Sequence, residues 1–341
     1  MYNSYKHISS SNLDKPFSPA IGLRGGHIQT LFPALFRKIP DLDMEIETFE
    51  LSDGDFLDCF WYQKPKQQEE NKAIVVLFHG LEGSHKSQYI RGMMQRLSSE
   101  GYSSVLMHFR GCSGRDNRLA RCYHSGETED AKAWISKLTE NYPNNKLYAI
   151  GYSLGGNMLL KLLGEYGEKS PLKAAISVSA PMQLDISANK MNRGFSKIYQ
   201  YHLMKDLKKS LLRKYKKHDM QSLIGVDPKS VKKMKSFWEF DDKYTGPVHG
   251  FGGAKNYYAK SSAKQYLKTI KTPTLIIQAL DDPFMTPEIL PKHDEISASV
   301  ELAISAHGGH VGFVSGNIFN PKYWLEEKAL AHFNKLNSEE N

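Results

Sequence analysis

The chain has 341 residues, 40% of them hydrophobic and 11% aromatic, an ordinary globular composition with enough apolar material for a sizeable core. Its longest apolar runs, such as AIVVLF at 73–78, are far too short to span a bilayer, and Cys59, Cys112 and Cys122 make neither a disulfide framework nor a CxxC metal pattern. The net charge of +8 is local: residues 186–239 hold 14 Lys and Arg against 4 Asp and Glu, a net of +10, which leaves the rest slightly acidic.

The opening MYNSYKHISSSNLDK is polar and has no apolar region of the kind a secretory signal needs. With so few cysteines, the expectation is a soluble, cytoplasmic protein of a reducing compartment. Next, MEIETFEL (44–51) and FLDCFWYQ (56–63) flank Ser-Asp-Gly-Asp and predict an antiparallel hairpin. The pattern then changes. KAIVVLFH (72–79), YSSVLMHF (102–109), KLYAIG (146–151) and KAAISVS (173–179) are nearly continuous apolar runs, as expected of strands buried on both faces of a parallel sheet.

Helical patterns at 87–101, 126–140 and 153–167 separate these runs. Ser125 is the expected N-cap of the second, and Glu127, Glu129 and Asp130 suit its first turn. The alternation predicts a doubly wound α/β sheet. It stops at Pro181 and resumes only at PTLIIQA (273–279), followed by SVELAISA (299–306) and a C-terminal helix at 323–336. The expected organisation is an α/β core over 1–181 and 273–341, with a basic, mainly helical cap inserted at 182–272.

Gly151-Tyr152-Ser153-Leu154-Gly155 is a G-x-S-x-G motif between a predicted strand and a predicted helix. A turn that tight strains the serine backbone, and glycines two positions either side relieve the crowding. A serine hydroxyl attacks only when a base takes its proton and a third group orients that base. Downstream, Asp281 and Asp282 follow one buried strand, and His307 and His310 follow the next. An acid and then a histidine at successive strand C-termini is the order this chemistry uses on an open α/β sheet.

Asp282 precedes Pro283 in the expected turn and His310 follows two glycines, so these are preferred over Asp281 and His307. A metal reading of His307-x-x-His310 has no Cys or HExxH pattern beside it. The oxyanion donors expected are the N–H of Leu154 and that of Leu81, in the glycine-bearing loop LFHGLEGSHKS. His79 and Gly80 then shape the loop without chemical roles.

The stretches GGHIQTLFPALFR (25–37), LFHGLEGSHKSQY (77–89), HFRGCSG (108–114), YHSGETED (123–130), GYSLGGNML (151–159), DDPF (281–284) and HGGHVGF (307–313) resemble the α/β-hydrolase superfamily. Within it they are similar to the YheT-like subfamily, which includes related animal and plant esterases and lipases. The resemblance spans nearly the whole chain. It implies an α/β-hydrolase fold with a mostly parallel eight-stranded sheet, and carboxylic-ester hydrolysis with Ser153, Asp282 and His310 at the triad positions, without metal or organic cofactor. The polar opening is not expected to supply the N-terminal membrane anchor that several eukaryotic relatives carry. GGHIQT itself suggests no chemistry and is expected to be an arm packed on the core.

In the insertion, Leu203, Leu207, Leu211 and Tyr215 recur at i, i+4 and predict a helix with one apolar stripe and a basic remainder. The stripe is expected to pack inward. The alternative is a basic amphipathic helix resting on anionic lipid, which would suit a phospholipase acting at an anionic membrane surface. Nucleic acid is not an expected partner, because one basic helix without a binding fold is poor support for it. The expected partner is a small ester or a lipid. Two rival functions stay open. An acyltransferase would favour H-x-x-x-x-D, but His124 and Asp130 have five residues between them. A non-catalytic binding fold commonly lacks a triad member, and here none is missing.

Overall fold

The fold is described from a computed structural model for residues 16–66, 69 and 72–339. The polar stretch at 1–15, with the reading made of it, lies outside the described residues.

Eight strands form one sheet: β1 (Glu45–Glu50), β2 (Phe56–Tyr62), β3 (Ile74–Phe78), β4 (Ser103–Met107), β5 (Leu147–Tyr152), β6 (Leu172–Val178), β7 (Thr274–Ala279) and β8 (Val300–Ser305). Their order is β1-β2-β4-β3-β5-β6-β7-β8. The pairs β1–β2 and β2–β4 are antiparallel and all others are parallel. This is the predicted α/β-hydrolase sheet with its antiparallel start.

The continuous apolar runs are explained by the two layers they join. Along β3, Ile74, Val76 and Phe78 pack with Trp134 and Leu138 of α3 (Glu129–Asn141) and Leu159 and Leu163 of α4 (Leu154–Tyr166). Val75 and Leu77 point the other way, to Ile90, Met94 and Leu97 of α2 (Gln88–Ser99) and to Leu330 and Phe333 of the C-terminal helix Trp324–Glu339. A period-two backbone between two helical layers buries every residue.

Two local expectations change. β2 alternates in sequence, yet Phe56 to Trp61 are all buried; Asp58 tolerates this because Arg115, Ser113 and Thr48 bond its carboxylate. Ser125 does not cap α3, whose first residue is Glu129 after Thr128. Its N–H donates instead to the Tyr257 hydroxyl, and its carbonyl and Oγ accept from the Asn157 amide on α4. That amide also donates to Ser261, and its oxygen accepts from the Ala263 N–H. Tertiary partners outcompete the local cap.

Between β6 and β7 the chain forms α5 (Leu184–Met191), α6 (Ser196–Lys214) and several further helical segments ending with Ala263–Thr269. Met204, Leu211, Met220, Val231, Met234 and Phe240 make a small apolar cluster there. The stripe on α6 faces inward, with Leu211 buried and Leu203, Leu207 and Tyr215 half-buried, while Lys205 and Lys209 are exposed. The stripe is therefore not available as a lipid-facing surface.

Beyond β4, Arg110 is buried and bonds the Asp130 carboxylate through Nε and Nη2, both at 2.6–2.7 Å, and Asp53 and Asp55 through Nη1. Asp55 and Asp130 are both buried; the guanidinium compensates Asp130 with two bonds, while Asp55 is also held by Asn117 and by the N–H groups of Phe56, Arg118 and Leu119. Replacing Arg110 with Met is expected to lower the urea-unfolding free energy by about 3–5 kcal/mol. Lys64→Met, which breaks a surface pair with Glu45, is expected to change it by less than about 1 kcal/mol.

Candidate active site

β5 ends at Tyr152 and α4 begins at Leu154, so Ser153 alone must turn the chain. It does so at φ 51°, ψ −117°, a conformation that costs a non-glycine residue roughly 1–3 kcal/mol. Its N–H donates to Val178 O on β6 at 2.8 Å, and its carbonyl accepts the Asn157 N–H at 3.0 Å. The flanking glycines are sterically required. A Cβ on Gly151 would stand 2.5 Å from Gly155 O, and one on Gly155 would stand 2.5 Å from His79 O.

The loop after β3 lies against this turn, since a Cβ on Gly80 would be 3.3 Å from that of Ser153. His79 fixes the loop from beneath. Its Nδ1–H donates to Gly80 O at 2.7 Å and its Nε2 accepts the Phe109 N–H at 3.2 Å. Burial holds its pKa near 4, so the ring is neutral and each nitrogen has one role. Tyr89 Oη accepts the Gly80 N–H, and the Glu82 N–H, at φ 52°, donates to Tyr123 Oη. Leu81 and Leu154 border the same cavity as Ser153 and His310.

The two acidic and two histidine candidates sort into separate pairs. His310 Nδ1 is 2.8 Å from Asp282 Oδ2, and its Nε2 is 2.9 Å from Ser153 Oγ. Asp282 is buried, and its other oxygen accepts the Phe284 N–H at 2.8 Å. The Phe284 ring stacks on His310 with centroids 3.9 Å apart. Asp281 is directed elsewhere, accepting the Gly309 N–H at 2.9 Å and lying 3.3 Å from His307 Nδ1. The two histidines thus face different carboxylates and do not form a metal pair.

Residues that sequence reasoning left without a role hold the His310 loop. GGHIQT opens α1 (Gly26–Phe36), and Thr30 Oγ1 accepts the His310 N–H at 2.8 Å while donating to Gly26 O. The buried Gln29 amide donates to Leu23 O and Val314 O and accepts the Val314 N–H. Ser179 Oγ accepts the Val311 N–H. The contact is too close for side chains: a Cβ on Gly26 would fall 1.7 Å from Asp281 O, and one on Gly312 would fall 2.2 Å from Gln29 O. The only signal in the sequence was the pair of glycine-rich stretches, which say nothing of each other.

Among the described residues one further group, His124, Glu127 and His249, brings potential ligand atoms within 4.8 Å of one another. It is already satisfied. Arg121 bonds the Glu127 carboxylate, and His124 Nδ1 accepts the Gly126 N–H. A metal there would have to displace that guanidinium. Asp130, the acid of the acyltransferase alternative, is occupied by Arg110.

Two consequences can be measured. Thr30→Ala leaves the His310 N–H without its acceptor and is expected to lower kcat about tenfold or more with KM nearly unchanged, whereas Thr30→Ser retains the bond and most of the rate. The second concerns acid. Burial lowers His79 to about 4, His108 and His249 to about 3, and His124 well below its ordinary value. Between about pH 6.5 and 4 the unfolded chain therefore takes up protons that the folded chain refuses, and stability falls as the pH falls. Buried Asp241, raised to about 6, and Glu127 and Glu326, also raised by burial, pull the other way but are fewer. In unfolding titrations across that window, His108→Gln is expected to flatten the slope by up to about 1.4 kcal/mol per pH unit. An unchanged slope would show that His108 titrates normally.

Comparisons with known proteins bear on the family and the fold. Residues 73–317 match the family model described as the alpha/beta hydrolase fold. The candidate esterase YheT of Escherichia coli (strain K12) is 41% identical over 312 residues, 92% of this chain and 91% of its own length. Phospholipase ABHD3 of Mus musculus is 29% identical over 84% of this chain and 71% of its own. Among solved structures, the Pyrococcus furiosus esterase Pf2001 superposes with a TM-score of 0.55 at 17% identity, over 87% of this chain and 93% of that one, a likeness of fold alone. A match to the family model over most of the chain, on a sheet of this order, places the protein in the alpha/beta hydrolase family.

Proposed function

We propose that the protein is a serine esterase or lipase that hydrolyses carboxylic esters of apolar acyl groups through an acyl-serine intermediate. One observation carries the reading: the unbroken chain from Asp282 through His310 to Ser153, at 2.8 and 2.9 Å, on a serine held at positive φ. The protein is an ester-hydrolysing enzyme of its family, and relatives named as esterase, phospholipase and monoacylglycerol lipase support that chemistry.

Asp282 holds Nδ1–H of His310, which leaves the Nε2 lone pair facing the Ser153 hydroxyl. As Oγ attacks the ester carbonyl, its proton passes to Nε2, and the imidazolium is stabilised by the buried carboxylate. The oxyanion is received by the N–H groups of Leu81 and Leu154, fixed donors on the rigid β3 loop and the α4 N-terminus. His310 then protonates the leaving alcohol. Water, deprotonated by the same nitrogen, releases the acid.

The acyl group occupies the cavity roofed by the segment between β6 and β7, for which a cap role is proposed. The cavity is partly open to solvent, and Leu184, Met191, Leu203, Leu207, Phe237 and Phe284 lie along it. Such a wall favours an alkyl chain over a polar acid. The test is a p-nitrophenyl ester series from acetate to palmitate. Wild type is expected to show activity with a chain-length optimum, and Ser153→Ala to lose at least about 10³-fold in kcat. A fluorophosphonate probe should label wild type and not the variant. Folded wild type that neither hydrolyses any ester nor takes the label would overturn the assignment.

A further inference from the structure

Eleven large apolar side chains are exposed among the described residues, and nine lie on or just before three adjoining elements rather than scattered. Ile28, Leu35 and Phe36 project from α1, and Ile21 lies a few residues before it. Ile318 and Phe319 form the tip of the hairpin β9 (Val314–Asn317) and β10 (Asn320–Tyr323), where Phe319 is 92% exposed. The hairpin is fastened to the chain before α1, since the Ile21 N–H donates to Gly316 O. The N-terminal end of α6 adds Phe195, Ile198 and Tyr201. It too abuts α1, because the His27 ring packs on Phe195 with centroids 4.7 Å apart and its Nδ1 lies 3.1 Å from Tyr199 Oη.

Charge identifies the occupant. The stretches 16–38, 186–205 and 311–325, which carry all nine residues, contain no Asp or Glu. They expose Arg24, Lys38, Arg193, Lys197, Lys205 and Lys322, none of which makes a direct ion pair among the described residues, although Lys322 lies near enough to the Glu327 carboxylate to help lower its pKa. A protein partner would usually meet both signs of charge. Apolar side chains interspersed mainly with cations, with Asp206 and Glu327 only at the edge, match a phospholipid surface of negative charge, where the rings sink among the acyl chains and the ammonium and guanidinium groups stay with the headgroups.

The same elements border an opening to the proposed nucleophile. Thr30, Pro33 and Ala34 of α1 and Leu203 of α6 line a depression that also contains Ser153 and His310. We infer that this face docks the enzyme on an anionic phospholipid bilayer, with the opening between α1 and α6 turned to the lipid so that membrane-dissolved esters reach Ser153 directly. The surface rests on its own geometry; only its use for substrate delivery rests on the reading of Ser153. No described helix is long and apolar enough to cross a membrane, so the contact is peripheral.

The experiment is sedimentation of the full chain with vesicles of phosphatidylcholine alone or mixed with phosphatidylglycerol, at low and high salt. Binding to the mixed vesicles at low salt, weakened by salt, is expected. The double variant Phe36→Glu, Phe319→Glu is expected to lose about tenfold or more in partitioning while hydrolysing a soluble short-chain ester at the wild-type rate. Ser153→Ala is expected to bind as wild type does, so vesicle binding stands or falls separately from catalysis. Folded wild type that ignores anionic vesicles, or a double variant that binds them undiminished, overturns the inference. So does a wild-type dimer that the same two substitutions dissociate, without vesicle binding, because the patch would then close between two copies of the chain.

Discussion

The backbone of Ser153 is the constraint around which the site is arranged. A parallel strand ends, a helix begins, and only one residue lies between them, so that residue must accept positive φ. The cost of roughly 1–3 kcal/mol is borne by a turn bonded on both sides, to Val178 on β6 and to Asn157 one turn into α4. The effect on the site is geometric. The β3 loop can approach only because residue 155 lacks a side chain, and α4 can start so close to the end of β5 only because residue 151 does.

A fixed serine is useful only beside an equally fixed histidine, and here the fixing comes from far away in sequence. The loop that carries His310 contains Gly308 and Gly309 at positive φ, with Val311 and Phe313 as well, so it has little local preference for its shape. Its shape is imposed by α1. Thr30, 280 residues away, accepts the His310 N–H, and Gln29 ties Val314 to Leu23. His310 is therefore aimed by an N-terminal helix far from it in sequence.

This distinction explains what the sequence could and could not disclose. The turn at Ser153 was legible because its requirement is local: glycines at fixed offsets, between a strand pattern and a helix pattern. The sheet was legible for a similar reason, since β3 to β7 are long apolar runs that only two covering layers explain. The pairing of Asp282 with His310 was approachable through order along the chain and turn composition. Thr30 was not legible, because a threonine inside an amphipathic helix looks the same whether or not a distant loop donates to it. Ser125 failed as a cap for the converse reason. Local chemistry proposed a partner, and Asn157 and Tyr257 supplied better ones from outside the segment.

α1 is where these two levels of organisation meet. Positions 26, 29, 30 and 33 share one side of the helix and are spent on the core, the His310 loop and the cavity rim. Positions 28 and 35 share the other and are exposed and apolar, and Phe36 is exposed at the helix's last residue. A helix with period 3.6 can serve two surfaces at once without either compromising the other. The consequence is mechanical. Anything that seats against the outer face presses on the same element whose inner face holds His310 in line with Ser153, so a contact on that face and the alignment of His310 would share one scaffold. That arrangement also accounts for the polarity of the segment: it excludes carboxylates from its outer side while its inner side is built from glycine, glutamine and threonine, residues chosen by close approach and hydrogen bonding rather than by charge.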